Sequence, residues 1–221
     1  VSIVIISYNS SKYILETLES VKNQTYENIE LIITDDGSTD TTVEICRNWI
    51  EKNNDRFVRL ELLTIEKNSG IATNCNRGFF NTKGEWIKGI AGDDLLLPDC
   101  IAILLESTLH IKETIIFSKM ITQPHSENLT QMFDLSYTNL NNSKNQLRYL
   151  LKGNYLPAPS LFIKSSTFFD LNGFDERFLY TEDYPFWIKA LKKGYRMIFL
   201  DIKTVIYRVH QESISSSSDS N

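Results

Sequence analysis

Residues 29–40 read IELIITDDGSTD, and they hold a strand, its exit and the opening of a helix. Ile29 to Thr34 is dominated by branched aliphatic residues and reads as a strand. Gly37 and Ser38 break it, and Ser38 or Thr39 can cap the next element. That element is expected to be a helix from Thr39 to Asn53, with Val43, Cys46, Trp49 and Ile50 at core spacing.

The same unit repeats on either side. Upstream, Val1 to Ser7 (VSIVIIS) is a continuous β-branched run, as expected of a strand buried on both faces. Ser10 or Ser11 can cap a helix carrying Ile14, Leu15, Leu18 and Val21 on one stripe. Downstream come a strand from Phe57 to Thr64, a helix from Ser69 to Asn81 and a strand from Glu85 to Ala91. Strand and helix alternating in this way predict an α/β protein with a doubly wound, mostly parallel central sheet flanked by helices. Ligands of such sheets bind beyond the carboxyl ends of the strands.

Pro98 opens a helix reaching about His110, and Thr114 to Ile121 is a fifth strand. Residues 122–145 dissolve into Asn, Ser, Thr and Gln and are expected to form a long surface loop. Order returns at Gln146 to Lys152. A short strand near Leu161 to Ile163, helices at Ser165 to Leu171 and Asp183 to Lys193, and two short strands, Arg196 to Leu200 and Thr204 to Tyr207, complete the pattern. The second half reads as an elaboration on the same sheet, so residues 1–213 form a single domain. The Ser-rich end, 214–221, reads as a flexible tail.

Bulk properties narrow the function. The chain has 221 residues, is 42% hydrophobic and carries a net charge of -5. No basic field favours nucleic acid or an anionic membrane surface. A phosphate-rich ligand would need a cation or local donors. Cys46, Cys75 and Cys100 show no paired spacing, so a reduced, cytosolic compartment is the simpler reading. Val1 opens a strand-like run with no charged region before it, so no signal peptide is expected, and no apolar stretch is long enough to span a bilayer. The abrupt start suggests a piece of a longer protein, which leaves peripheral membrane association open.

Acidic clusters at strand exits are the candidates for chemistry. Asp35 and Asp36 follow the second strand, where two adjacent carboxylates repel each other and a turn alone does not call for them. One of them could accept hydrogen bonds from a base or ribose. Gly92-Asp93-Asp94 follows the fourth strand at the same sheet edge. Carboxylates and phosphate oxygens are preferred ligands of Mg²⁺ and Mn²⁺, so an ion bridging Asp93 or Asp94 to a diphosphate would neutralise charge on a leaving group. Glu182-Asp183 opens a helix; acids there suit the helix dipole, and one could also serve as a general base. His210 could be a structural residue or a neutral imidazole ligand to the same metal. Asn68, Ser69, Gly70, Asn74, Asn76 and Arg77 form a loop and cap that could line a donor pocket, with Lys67 and Arg77 as nearby cations. A G-x-G-x-x-G after the first strand, a P-loop and a G-x-S-x-G elbow are all absent from the sequence.

Taken in order, V-S-I-V-I-I-S-Y-N, D-D-G-S-T-D, N-S-G with N-R-G, G-D-D, N-G-F-D-E-R-F, E-D-Y-P-F-W and Y-R-V-H-Q-E-S resemble the family 2 glycosyltransferases of GT-A fold, from residue 1 to about 213. The resemblance implies an inverting transfer of a sugar from a nucleotide-diphosphate donor, a UDP-sugar, to a hydroxyl of a glycan or lipid-linked acceptor, as in bacterial surface-polysaccharide biosynthesis. The action would be cytoplasmic, at the inner face of the plasma membrane if associated there. Residues 1–97 would be the nucleotide-sugar half and 98–213 the acceptor half. Ser7, Tyr8 and Asn9 would lie against the nucleotide, Asp36 would bond the base, and Asn68, Gly70 and Asn76 would line the donor pocket. Asp93 and Asp94 would stand for the metal motif, with Asp93 also facing the donor and His210 as a further ligand to Mn²⁺ or Mg²⁺. Asp183 would be the catalytic base, and Asp175 would lie on the acceptor side. Two departures stand out. Ala91 replaces the first acid of D-x-D-D, and Asn74-Cys75 replaces an Ala-Arg pair. They motivate an alternative, a catalytically silent nucleotide-sugar-binding or scaffolding module. A nucleotidyltransferase would need a basic, Gly-rich loop after the first strand, which residues 7–12 lack.

Overall fold

Ile3, Val4 and Ile5 are all fully buried, which is possible only for a strand covered on both faces. The strand is β1 (Ser2–Ser7). The computed structural model describes residues 1–124, 142–178 and 181–210. After β1 come α1 (Ile14–Lys22), β2 (Glu30–Asp35), α2 (Thr42–Asn53), β3 (Arg59–Thr64), α3 (Ile71–Phe80), β4 (Trp86–Ala91) and β5 (Leu95–Leu96). The second half adds α4 (Cys100–Thr108), β6 (Ile115–Gln123), α5 (Ser143–Leu150), β7 (Phe162–Lys164), α6 (Ser165–Asp170), α7 (Asp183–Lys192) and β8 (Met197–Arg208).

All eight strands join one sheet in the order β3-β2-β1-β4-β7-β6-β8-β5. β1 to β4 are mutually parallel, with Ile5 opposite Ile33 on one side and Ile90 on the other. β7 runs antiparallel to both β4 and β6, so the sheet is mixed beyond β4. Alternate residues of β1 feed two cores. Val4 packs under α3, α5, α6 and α7 with Phe79, Phe168, Phe186 and Trp187. Ile3 and Ile5 pack under α1, α2 and α4 with Leu18, Trp49 and Leu104. Among the described residues no helix is long and apolar enough to cross a membrane, and the three cysteines are buried and unpaired.

The elements differ from the sequence expectation in four places. β8 is one strand where two were expected. Asp201, Ile202 and Lys203 are exposed, and the pairing with β6 slips register on either side of Lys119. The polar interruption is therefore a bulge, not a turn. β5 was not expected: it is two residues long and pairs with Val205 and Ile206. The first two helices begin later than their capping signals: α1 starts at Ile14, after Ser10 and Ser11 have donated their N–H groups to Thr42 and Asp40, and α2 starts at Thr42, after Ser38 and Thr39 have bonded Asn9. Finally, the ends of the expected loop 122–145 are ordered, in β6 and α5; residues 125–141 between them, and the tail 214–221, lie outside the described residues.

Gly78 sets how closely α3 lies on the sheet. A Cβ there would stand 2.4 Å from Val4 Cγ1 and 2.9 Å from Thr34 Cγ2. Gly78→Ala should therefore lower stability by about 1–3 kcal/mol through overpacking, read as a lower urea midpoint at unchanged slope.

Candidate active site

At the ends of β1 and β2 the polar side chains clasp one another. The buried Asp35 carboxylate accepts from Ser7 Oγ at 2.9 Å, from Ser38 Oγ at 2.6 Å and from the Ser38 N–H at 2.8 Å. Asn9 adopts a left-handed φ of 49°. Its Oδ1 accepts the Thr39 N–H at 2.8 Å while its own N–H donates to Ser38 Oγ at 2.8 Å. Ser7 is thus buried and engaged with Asp35, Asn9 fixes the loop, and Tyr8 between them is left 47% exposed at the carboxyl edge of the sheet.

Asp36 is buried by a different set of donors. It accepts Ser69 Oγ at 2.6 Å, the Ser69 and Gly70 N–H groups at 3.1 and 2.9 Å, and Arg77 Nη2 at 3.0 Å. A carboxylate has roughly four lone-pair positions, and two donors reach each oxygen here. Any base contact by Asp36 therefore exchanges with one of them. Asn68 Oδ1 also accepts the Gly70 N–H, at 3.0 Å, and Gly70 has φ of 92°, a conformation suited to glycine. Arg77 reaches the Asp35 carbonyl at 3.0 Å and Asn74 Oδ1 at 3.1 Å as well. Arg77 is therefore the organiser of this edge, beyond the nearby cation read from sequence. Asn76 faces away from that group, since it sits about 200° round the helix from Asn74. Its side chain exchanges hydrogen bonds with Phe174 at 3.0 and 2.8 Å and donates to Glu176 Oε1 at 2.9 Å.

The turn after β4 brings together residues far apart in the chain. Asp93 Oδ2 lies 2.9 Å from His210 Nε2, and the His210 ring stacks on Tyr13 with centroids 4.5 Å apart. Asp94 is turned inward. Its Oδ1 accepts the Arg208 N–H at 2.9 Å, and its buried Oδ2 has no hydrogen-bond partner among the described residues. Burial, then the charge of Asp93, pushes its carboxyl up to about 8. Thr17 Oγ1 donates to the carbonyls of Gly92 and Asp94 at 3.0 and 2.8 Å. Arg208 donates to the Asp93 carbonyl and to Glu16 Oε2, the latter at 2.7 Å, and lies over the Tyr13 ring. Sequence reading missed Arg208; its only signal was its place two residues before His210. Asp93 offers a hard oxygen of the kind Mn²⁺ and Mg²⁺ prefer, while the His210 imidazole nitrogen is a ligand more typical of transition ions. Among the described residues no group of three or more His, Cys, Asp or Glu could enclose an ion, so further ligands would have to come from a bound phosphate or water.

The acidic pair at the start of α7 is half-buried. Burial, then the charge of Asp183, pushes Glu182 up to about 7. Asp183 Oδ2 accepts Asn154 Nδ2 at 2.8 Å, and Oδ1 accepts the Tyr184 N–H at 2.7 Å. The buried Cys75 thiol on α3 is raised well above its ordinary range by burial and by the charges of Glu182, Asp36 and Asp183. The carboxylates of β2 and α7 thus converge on α3. Asp175 is tied to Arg177, which holds its carboxyl low.

Comparison with known proteins agrees with this arrangement of the sheet. The solved structures of Staphylococcus aureus TarS with UDP-GlcNAc and of the mannosyltransferase PcManGT of Pyrobaculum calidifontis with GDP-Man and Mn²⁺ align with TM-scores of 0.77 and 0.74. They are 21% and 19% identical, over 97% and 98% of this chain and 60% and 59% of theirs. These likenesses define a GT-A fold. The profile of Glycosyl transferase family 2 matches residues 2–168. An uncharacterized glycosyltransferase of Rickettsia typhi is 29% identical across 98% of this chain and 66% of its own length. One of Rickettsia felis is 31% identical across 87% of this chain and 31% of its own. The chain therefore belongs to glycosyl transferase family 2, and it spans from 31% to 66% of the length of these two relatives.

The raised Glu182 carboxyl gives stability a pH dependence. Folded Glu182 holds its proton up to about 7, against 4.5 for the ordinary group. The native state therefore binds more protons between those values, and this group's contribution falls as pH rises through that window. Glu182→Gln should leave the melting temperature nearly unchanged at pH 4.5 and raise it at pH 8, measured by calorimetry at both.

Proposed function

We propose that the chain is an inverting glycosyltransferase that moves a sugar from a nucleotide-diphosphate donor, a UDP-sugar, to a hydroxyl of a glycan or lipid-linked acceptor. The observation that carries the reading is the Asp93–His210 contact of 2.9 Å at the carboxyl edge of the sheet. It unites an acid and an imidazole that are 117 positions apart in the chain. Tyr8, exposed beside the Asp36 cluster, would pack on the base. Asn68 and Gly70 would border the donor pocket, Ser7 and Asn9 would hold its walls, and Asn76 instead braces α3 against Phe174 and Glu176. Asp93 and His210 would hold Mn²⁺ or Mg²⁺, with Asp94 supporting the turn from behind. When bound, such an ion neutralises the charge that builds on the departing diphosphate. Asp183 would take the proton of the acceptor hydroxyl as its oxygen bonds the anomeric carbon and the carbon–oxygen bond to the diphosphate breaks. TarS with UDP-GlcNAc and PcManGT with GDP-Man and Mn²⁺ support a nucleotide-sugar donor and a divalent ion. A role in surface-polysaccharide assembly at the cytoplasmic face of a membrane is the biological setting that suits a lipid-linked acceptor.

Two measurements test this reading. UDP with Mn²⁺ should raise the melting temperature, and chelator or His210→Ala should remove most of that rise; UDP stabilisation indifferent to chelator would refute the metal role. In a panel of UDP-GlcNAc, UDP-glucose, UDP-galactose and GDP-mannose with Mn²⁺, at least one donor should release its nucleotide with water as acceptor. Asp183→Asn should keep UDP binding and lower that release by about 100- to 10,000-fold. Binding with no turnover of any donor would favour the silent binding module instead.

A further inference from the structure

Asn154 lies between α5 and the short 3-10 turn at Ala158–Ser160, in a stretch that no motif marks. Its Nδ2 donates to Asp183 Oδ2 at 2.8 Å, while its Oδ1 accepts the Leu156 N–H at 3.4 Å, which fixes the way the amide faces. The stretch is anchored at both ends. Tyr184 Oη donates to the Leu150 carbonyl at 3.0 Å, and the buried Lys88 Nζ donates to the Pro159 carbonyl at 2.6 Å. At Gly153 a Cβ would stand 3.0 Å from Tyr155 Cζ and Oη, so the chain folds tightly just before Asn154. Asp183 Oδ1 is held by the Tyr184 N–H. Each oxygen of Asp183 therefore takes one protein donor and keeps one lone pair for a substrate proton.

We propose that Asn154 is the positioning residue of this site: its amide orients the Asp183 carboxylate toward the acceptor hydroxyl. The proposal rests on Asp183 being the base. Asp183 is only half-buried, and without the amide its carboxylate would keep only the Tyr184 N–H bond to Oδ1, so that Oδ2 would have to be ordered at each turnover, a cost paid in rate and not in donor affinity. Asn154 bonds Asp183 while Glu182, the adjacent acid, is left to its own surroundings. The choice between the two neighbouring carboxylates is thus made by a residue 29 positions earlier in the chain.

The test uses the donor that the wild-type chain hydrolyses in the panel above. Asn154→Ala should lower kcat for nucleotide release by about 10- to 100-fold with the donor KM within about twofold. Asn154→Gln, which keeps the amide, should recover part of that loss. Introduced into Asp183→Asn, Asn154→Ala should cost less than about threefold more, because groups acting as a unit are not additive. Melting temperature controls for folding. A wild-type kcat in Asn154→Ala, a loss expressed in KM, or an undiminished further loss in the Asp183→Asn background would overturn the positioning role while leaving Asp183 as base. Activity retained by Asp183→Asn alone, or a wild type that turns over no donor, would overturn both.

Discussion

The ion pair between Asp36 and Arg77 is the interaction on which the carboxyl edge of the sheet depends. A carboxylate 3% exposed is costly unless it is neutralised and fully hydrogen-bonded. Arg77 supplies the charge, and Ser69 and Gly70 supply the remaining donors. Because Arg77 also bonds the Asp35 carbonyl and Asn74, the end of β2, the loop before α3 and α3 itself are held as one body. Gly78, one residue further on, removes the Cβ that would keep α3 off β1 and β2. Close packing and charge pairing are therefore two ends of one constraint: the helix must lie low on the sheet for the guanidinium to reach the carboxylate.

The opposite wall is held from the far end of the chain. Arg208 reaches back to the Asp93 carbonyl and to Glu16, while Asp94 takes its backbone N–H. Thr17 secures the same turn from α1. The order of strands makes this possible, because β8 ends beside β5, directly after the G-D-D turn. β5, which the sequence did not reveal, thus pairs with the strand that brings His210 to Asp93.

Legibility tracked the range of the interactions. β1, β2 and β4 were evident because burial on both faces demands unbroken aliphatic runs, a local property of the chain. β5 was not, since two leucines become a strand only through partners about 110 residues away. β8 was divided because Asp201 to Lys203 look like a turn when the bulge opposite Lys119 is unknown. In the site, Asp36 and Asp93 stood out as acids at strand ends, and His210 through the family motif in which it lies. Asn154 and Arg208 did not, because an asparagine in a loop and an arginine in a strand carry no signal until the fold puts Asp183 and Asp93 beside them. Asn76 illustrates the reverse. It belongs to a recognisable run, yet helical periodicity turns it toward Phe174 and Glu176, away from Asn74 and Arg77.

The unequal roles of the acids after β4 arise from the same packing. Position 92 has no room to spare: a Cβ there would stand 3.1 Å from Ile14 Cδ1 and Ser10 Oγ and 3.2 Å from Ser7 Cβ. Asp94 is buried against β8, and its carboxyl, raised by burial, is suited to holding the turn and not to facing solvent. On the proposed reading, only Asp93 and the imidazole of His210 then face a divalent ion, where the family pattern would add the acid that Ala91 replaces. One carboxylate and one neutral nitrogen bind a hard cation weakly by themselves, but they also repel a diphosphate less than two or three carboxylates would. On that reading such a site would recruit its ion together with the nucleotide, whose phosphate oxygens would supply the ligands that Asp93 and His210 do not.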